Sequence, residues 1–180
     1  KVNSMIRSRI LFLYFTVQLC LLGYACKSDL ILVESSIPPE FDQYLKTSPI
    51  KIEVGHEFYS NLPYGEKQRN VIDLWVPTTK TAKALVIFIH GGGFRGGDKS
   101  SAWDTPSKFG IGPEQITQFL SENIAFASIN YTLLSKDERQ GVIKCLKDGQ
   151  RALQFLRYHY QELGFDGTKI GLAGSSAGAG

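Results

Sequence analysis

The spacing of apolar residues changes character along the chain. Residues 10–22 (ILFLYFTVQLCLL) form an unbroken apolar run. Residues 27–50 are polar and irregular, with Pro38, Pro39 and Pro49, and read as a tether. From residue 51 the pattern becomes regular. Ile52, Val54, His56 and Phe58 alternate along residues 51–60, which predicts a half-buried strand. Residues 61–70 (NLPYGEKQRN) carry turn chemistry, and residues 71–76 form a second strand stopped by Pro77, so the pair predicts an antiparallel hairpin. Residues 84–89 (ALVIFI) are apolar throughout, as in a strand covered on both faces. Pro113 precedes a short helix over 114–122, where proline suits the first turn, and 124–129 is the next buried strand. Val142, Leu146, Gly149, Leu153, Leu156, Tyr160 and Leu163 recur at steps of four and three. They predict one long helix over 141–163 with a single apolar stripe, in which Gly149 would allow close approach to a sheet. Gly164 ends that helix, residues 165–167 turn, and residues 169–173 make the last strand. Strands separated by helices predict an α/β fold, a mostly parallel sheet with helices on both faces.

Composition narrows the function classes. A chain of 180 residues can bury a sizeable core, and 43% hydrophobic with 21% charged residues is ordinary for a globular protein. The net charge of +3 comes from the N-terminus. Lys1, Arg7 and Arg9 are three of the 20 basic residues, no acidic residue precedes Cys26, and the remaining balance is 17 against 17. No basic stripe interleaved with aromatics runs along the chain, so no nucleic-acid partner is expected.

Residues 1–26 read as a signal-peptide region. Arg7 and Arg9 supply a basic start that is expected to begin at Met5, with residues 1–4 as upstream read-through, and the apolar run 10–22 is short for an ordinary membrane span. Gly23 and Ala25 place small residues at −3 and −1 relative to Cys26. Cys26 also resembles a lipobox cysteine, a lipidation candidate whose thiol would carry a diacylglyceryl group, although Leu22 stands one residue too early for that pattern. A membrane-attached lipoprotein, a soluble secreted or periplasmic form and an uncleaved anchor stay open; export is the common expectation. The other cysteines, Cys20 and Cys145, complete no disulfide or metal framework, and Cys145 reads as a small buried residue.

Two glycine clusters follow two buried strands. Gly174-Ser175-Ser176-Ala177-Gly178 has the G-x-S-x-G spacing of a sharp strand-to-helix turn that holds a serine hydroxyl exposed. Glycines two residues either side avoid collision with neighbouring backbone, so Ser176 is the candidate catalytic nucleophile and Ser175 points elsewhere. His90-Gly91-Gly92-Gly93 ends the earlier strand. Glycines there let backbone N–H groups approach a developing oxyanion, each such donor contributing on the order of 3 kcal/mol in the transition state. Together the two clusters have the organisation of an acyl-transfer site.

From about residue 51 onward the chain resembles α/β-hydrolase carboxylesterases with an HGGG oxyanion loop, including the hormone-sensitive-lipase-like group and bacterial esterases acting on acyl decorations of polysaccharides. The resemblance rests on Tyr64-Gly65, Ile72-Asp73-Leu74-Trp75-Val76-Pro77, the 86–94 stretch ending in HGGGF, Gly97-Asp98-Lys99, the 127–131 stretch ending in Asn130-Tyr131, and Gly164-Phe165-Asp166 leading into the elbow. It implies that residues 51–180 are the N-terminal part of a hydrolase domain. It implies Ser176 as nucleophile and an oxyanion hole from the N–H groups of Gly92, Gly93 and Ala177, with the Gly91 N–H left open as a further donor. Asn130 stands where Asp is commonest in the lipase-like group, which favours the polysaccharide-esterase side. In this fold the order is Ser, acid, His, so the acid and base are expected beyond residue 180, and the 180 residues alone are expected to be inactive. No metal or organic cofactor is implied. The expected partner is a small-molecule or polysaccharide-linked ester.

Other residues carry blander expectations. His90 braces the oxyanion loop without titrating in catalysis, His56 and His159 are structural, and Asp98 is expected to cap a turn in preference to meeting substrate. Asp148, inside the long helix, either contacts backbone or is a solvated charge. Two rivals to the esterase reading stay in view. One is a catalytically inactive hydrolase-fold binding protein. The other is an NAD(P)-binding short-chain-dehydrogenase-like protein, for which Gly174, Gly178 and Gly180 would form the nucleotide turn.

Overall fold

Residues 39–104, 111–138 and 141–180 are described by a computed structural model. The signal region 1–26 with Cys26, and the first part of the expected tether, lie outside them. In chain order the elements are α1 (Pro39–Asp42), β1 (His56–Pro63), β2 (Val71–Pro77), β3 (Leu85–Ile89), a 3-10 turn (Lys99–Ala102), α2 (Pro113–Ser121), β4 (Ala125–Ile129), α3 (Ile143–Tyr158), β5 (Ile170–Gly174) and a second 3-10 turn (Ser176–Ala179).

The strands make one sheet in the order β1-β2-β4-β3-β5. β1 and β2 pair antiparallel, as the hairpin pattern predicts, and β2 also runs antiparallel to β4. β3 is parallel to both β4 and β5. The all-apolar runs end up covered on both faces because side chains alternate across the sheet. On β3, Leu85, Ile87 and Ile89 join the cluster that contains Ala152 and Leu156 of α3, while Val86 and Phe88 join the cluster around Ile116 and Leu120 of α2. The two crossovers leave β4 and β5 on opposite sides of β3, and right-handed connections therefore put α2 and α3 on opposite faces.

Three expectations need correction. The first strand begins at His56, not at residue 51, and continues to Pro63; its register shifts between Tyr59 and Leu62, where Asn61 takes φ +55. Ile52 and Val54 still pack on the α2-side cluster, but from irregular backbone. From Pro39 onward the segment expected as a tether is packed: Phe41 is buried edge-to-face on Phe155, and Leu45 bridges to Tyr59.

The third correction concerns α3, which is shorter than the predicted helix and rotated from the predicted stripe. Cys145, Asp148, Ala152 and Leu156 face inward, whereas Val142 and Leu146 are exposed. A Cβ on Gly149 would meet nothing within 4 Å, so that glycine does not serve close approach. Small Cys145 and Ala152 supply it instead, and Asp148 is drawn inward by partners on the loop after β4. The apolar stripe containing Leu146 borders a gap beside β5, where Leu172 is 62% exposed. Among the described residues no helix is long and apolar enough to cross a membrane.

Candidate active site

The loop after β3 and the turn after β5 meet at the carboxyl ends of two adjacent parallel strands. The chain leaves β3 toward β4 on one side, while β5 lies on the other, and such a reversal leaves a crevice above the strand ends. The Ser175 N–H donates to the Ile89 carbonyl at 3.2 Å, tying the end of β5 to the end of β3. Ser176 then takes φ +50, a left-handed conformation that costs a side-chain-bearing residue about 1–2 kcal/mol. The Gly178 N–H closes the turn on the Ser175 carbonyl at 2.9 Å. The flanking glycines have no room for side chains. A Cβ on Gly174 would lie 2.1 Å from the Gly178 oxygen, and one on Gly178 would lie 2.1 Å from the Ile89 oxygen.

The His90-Gly91-Gly92-Gly93 segment folds against this turn. A Cβ on Gly91 would lie 2.7 Å from the Ser175 oxygen and 3.1 Å from the Ser176 Cβ. Gly92 takes φ +110 and Gly93 φ +61, and the N–H groups of Arg95 and Gly96 both return to the Gly92 carbonyl, at 3.0 and 3.1 Å. The N–H groups of Gly92 and Gly93 take no backbone acceptor among the described residues. The sequence-predicted residues are thus gathered in one place, Gly92 and Gly93 in one loop and Ser176 and Ala177 in the adjoining turn. Cys26 lies outside the described residues.

Behind the loop, His90 is buried and stacks on Tyr131 with ring centroids 4.4 Å apart. Its Nδ1 stands 2.7 Å from the Gly91 oxygen, which is the bracing contact expected of it, and the Tyr131 hydroxyl donates to the His90 carbonyl at 2.9 Å. Burial pushes the imidazole below its ordinary range, while the hydrogen bond to Gly91 pulls the other way. Asp98 caps the first 3-10 turn, accepting from the Ser100 N–H at 3.0 Å, and it also accepts from the Asn130 amide at 2.7 Å. For Asp148 the structure selects the contact reading: it accepts from the Thr132 N–H at 2.9 Å, from the Thr132 hydroxyl and from Lys67 Nζ at 3.0 Å.

Sequence reasoning missed Arg69. It lies in a stretch read as turn chemistry, yet its side chain runs behind the glycine loop and donates to the carbonyls of Tyr131 and Gly97, each at 2.9 Å. A single arginine in a polar turn has no local signature, because its acceptors come from segments 28 and 62 residues away.

A cavity of about 290 Å³ opens between α3 and β5, lined by Leu146, Gly149, Leu153, Leu172, Ile87 and Ala177 among others. Ser176, Gly92 and Gly93 do not line it, so it is an uncovered flank of the sheet and not a chamber over the serine. Among the described residues no cluster of His, Cys, Asp and Glu is arranged to hold a metal ion.

The strand order, the helices on both faces and the strained serine turn after β5 define an α/β-hydrolase fold. Residues 72–180 match the family model described as BD-FAE, and the chain belongs to that family. It is 33% identical over 137 residues to the probable isoprenylcysteine alpha-carbonyl methylesterase ICMEL1 of Arabidopsis thaliana, covering 71% of this chain and 26% of that protein. It is 28% identical over 143 residues to the juvenile hormone esterase of Tribolium castaneum, covering 75% of this chain and 23% of that protein. The chain therefore spans about a quarter of the length of these relatives. Among solved structures, an inhibited esterase B from Lactobacillus rhamnosis superposes with a TM-score of 0.56 at 21% identity, over 72% of this chain and 39% of that one. A truncated carbohydrate esterase from gut microbiota superposes at 0.53 with 19% identity, over 67% and 40%. The nucleotide-turn alternative fits poorly with this fold, since its glycines follow the fifth strand and not the first.

Proposed function

We propose that the protein hydrolyses carboxylic esters by two-step acyl transfer through Ser176, with water as the final acceptor. The observation that carries this reading is the approach of Gly91 to Ser176: a serine in a strained turn stands directly against a glycine loop whose Gly92 and Gly93 N–H groups take no backbone acceptor among the described residues. In this mechanism the Ser176 oxygen attacks the ester carbonyl. Gly92, Gly93 and Ala177 donate to the oxygen that becomes negative, and the alcohol leaves as the acyl-enzyme forms. None of the three histidines of these 180 residues is assigned as the general base in this mechanism. Of the three histidines, His90 is held between Gly91 and Arg69, His56 donates from Nδ1 to the Val54 carbonyl, and His159 packs among Phe41 and Phe155. The substrate is a small-molecule or polysaccharide-linked ester; the esterase names of the relatives support the class and leave the acyl group to assay.

The test is fluorophosphonate labelling of the full-length protein. Label at Ser176, lost in Ser176→Ala and retained in Ser175→Ala, is the expected result. Label that survives Ser176→Ala removes the assignment, and a protein that is never labelled and never turns over an ester is a hydrolase-fold binding protein instead.

We also propose export with Cys26 as the mature N-terminus. Mass spectrometry of that terminus should find Cys26 first, and a diacylglyceryl adduct on it would make the protein a lipoprotein. Recovery of residues preceding Cys26 on the mature protein counts against cleavage there.

A further inference from the structure

Glycine loops do not hold themselves. Gly92 and Gly93 have no side chains to pack, so the direction of their N–H groups must be set from outside. Arg69, between β1 and β2, supplies that restraint. Its Nε donates to the Tyr131 carbonyl at 2.9 Å, and Nη2 faces the Gly97 carbonyl at 2.9 Å, Asn130 Oδ1 at 3.1 Å and His90 Nε2 at 3.4 Å, sharing two hydrogens among three acceptors. Nη1 stands 3.6 Å from the Asp98 carboxylate. One planar cation thus ties His90, just before the three glycines, to Gly97 and Asp98 after them and to the Asn130-Tyr131 segment behind.

The His90 ring has a logical position in this network. Arginine can only donate and a carbonyl can only accept. With Nε2 facing Arg69 and Nδ1 2.7 Å from the Gly91 oxygen, one arrangement satisfies both contacts: a neutral ring with its proton on Nδ1, donating to Gly91, and its Nε2 lone pair toward Arg69. In a trans peptide the carbonyl and the following N–H point in opposite directions, so holding the Gly91 oxygen also aims the Gly92 N–H. A Cβ on Gly97 would fall 2.4 Å from that same oxygen and 2.5 Å from His90 Nδ1, which shows how tightly the far side is closed.

We propose that Arg69 is a positioning residue for the oxyanion loop: facing His90 Nε2, it selects the ring tautomer that pins the Gly91 carbonyl and so aims the Gly92 N–H at the substrate oxygen. The inference rests on the Ser176 reading for its catalytic consequence, but the coupling between Arg69 and His90 does not. The charged and titratable groups facing the ring are Arg69 from the β1–β2 loop, Asp98 from the turn after the glycine loop and the Tyr131 phenol after β4, with the Asn130 amide beside them. Burial and Arg69 both favour the neutral ring, while the Gly91 hydrogen bond, Asp98 and Asn130 favour the charged one.

The experiment uses the full-length protein with Arg69→Met and Arg69→Lys. Long-range proton–nitrogen NMR of the His90 ring reads the tautomer directly. The wild type should carry its proton on Nδ1, Arg69→Met should show a mixture or the Nε2–H form, and Arg69→Lys should lie nearer the wild type. On a chromogenic acetate ester, kcat should fall about tenfold in Arg69→Met with KM nearly unchanged, less than the hundredfold or more for losing a donor outright. An Nε2–H tautomer in the wild type overturns the proposal, and needs no variant to fold. An unchanged tautomer and unchanged kcat in Arg69→Met also overturn it. A wild type that shows the Nδ1–H tautomer but takes no fluorophosphonate label fails the Ser176 reading and leaves the Arg69–His90 coupling standing.

Discussion

Gly91 stands against Ser176 with no space for a methyl group between them: a Cβ there would lie 3.1 Å from the Ser176 Cβ and 2.7 Å from the Ser175 carbonyl oxygen. The second contact is with backbone, so the strain cannot be relieved by rotating a side chain. Gly91→Ala should therefore push the glycine loop off the serine turn and lower kcat about a hundredfold, the scale of a lost oxyanion donor. Gly93→Ala provides the contrast. Nothing lies within 4 Å of its Cβ position, and only the φ of +61 opposes a side chain, at about 1–2 kcal/mol. Its kcat should fall much less. Rates of fluorophosphonate labelling in the two full-length variants measure the difference, and equal loss in both would show that steric contact with the serine turn is not what matters.

The turn that carries Asp98 is anchored by a buried ion pair. Lys99 Nζ lies 2.6 Å from the Asp73 carboxylate, and their side chains are 8% and 1% exposed. Asp73 also accepts from the Asn61 N–H at 3.0 Å and the Trp103 indole at 3.3 Å. Removing one partner leaves the other charge buried and unpaired, which typically costs about 3–5 kcal/mol. Asp73→Ala should destabilise by that amount in urea unfolding of the full-length protein, and Asp73→Ala with Lys99→Met should recover part of it. A double variant no more stable than the single would assign the loss to the Asn61 and Trp103 contacts and not to the orphaned ammonium.

Asp148 makes a pH prediction with a definite sign. Burial alone would raise its carboxyl, but the Thr132 hydroxyl, Lys67 and the Thr132 N–H outweigh burial and hold it below the usual carboxylate range. A group depressed in the folded state stabilises above its unfolded value, about 3.9, and that contribution fades as pH falls through the lower folded value. Asp148→Asn should be less stable than the wild type at pH about 7, and the gap should narrow below pH about 4. A gap that stays constant with pH would mean that shape and not charge holds the loop after β4.

Much of this architecture was readable from spacing. The short, mainly apolar runs over β3 and β4, bounded by turn residues, mark buried strands, and the elbow glycines are demanded by backbone collisions that the five-residue spacing encodes. The rest depended on contacts between distant segments. The rotation of α3 could not be read from its periodicity, because two stripes compete: Leu146 and Leu153 on one, Cys145, Ala152 and Leu156 on the other. The choice is made by Asp148 reaching Thr132, sixteen residues earlier. The packing of Phe41 was hidden among polar neighbours and two prolines, and β1 began late because irregular backbone at Ile52 and Val54 can bury the same side chains as a strand. Arg69 had no local signature at all.

The flank of the sheet beside β5 gives the last prediction. Leu172 is 62% exposed and Leu146 49%, and both border the cavity between α3 and β5, together with Leu153. Scattered exposed leucines are ordinary, but a strand-borne Leu172 grouped with Leu146 and Leu153 around a cavity is a patch of the kind that takes a cover or promotes association. In residues 39–180 expressed alone, this patch faces water, so Leu172→Gln and Leu146→Gln should reduce dye binding and self-association without lowering stability. In the full-length protein the outcome should reverse if other residues cover the patch. Burying a leucine contributes about 1.5–3 kcal/mol, so Leu172→Gln there should destabilise by at least about that amount, with a buried amide adding to the loss. Paired unfolding and sedimentation measurements on both lengths decide it. A substitution that is neutral in the full-length protein would show that the flank stays open in the whole molecule, and improved solubility at both lengths would make it a surface for association.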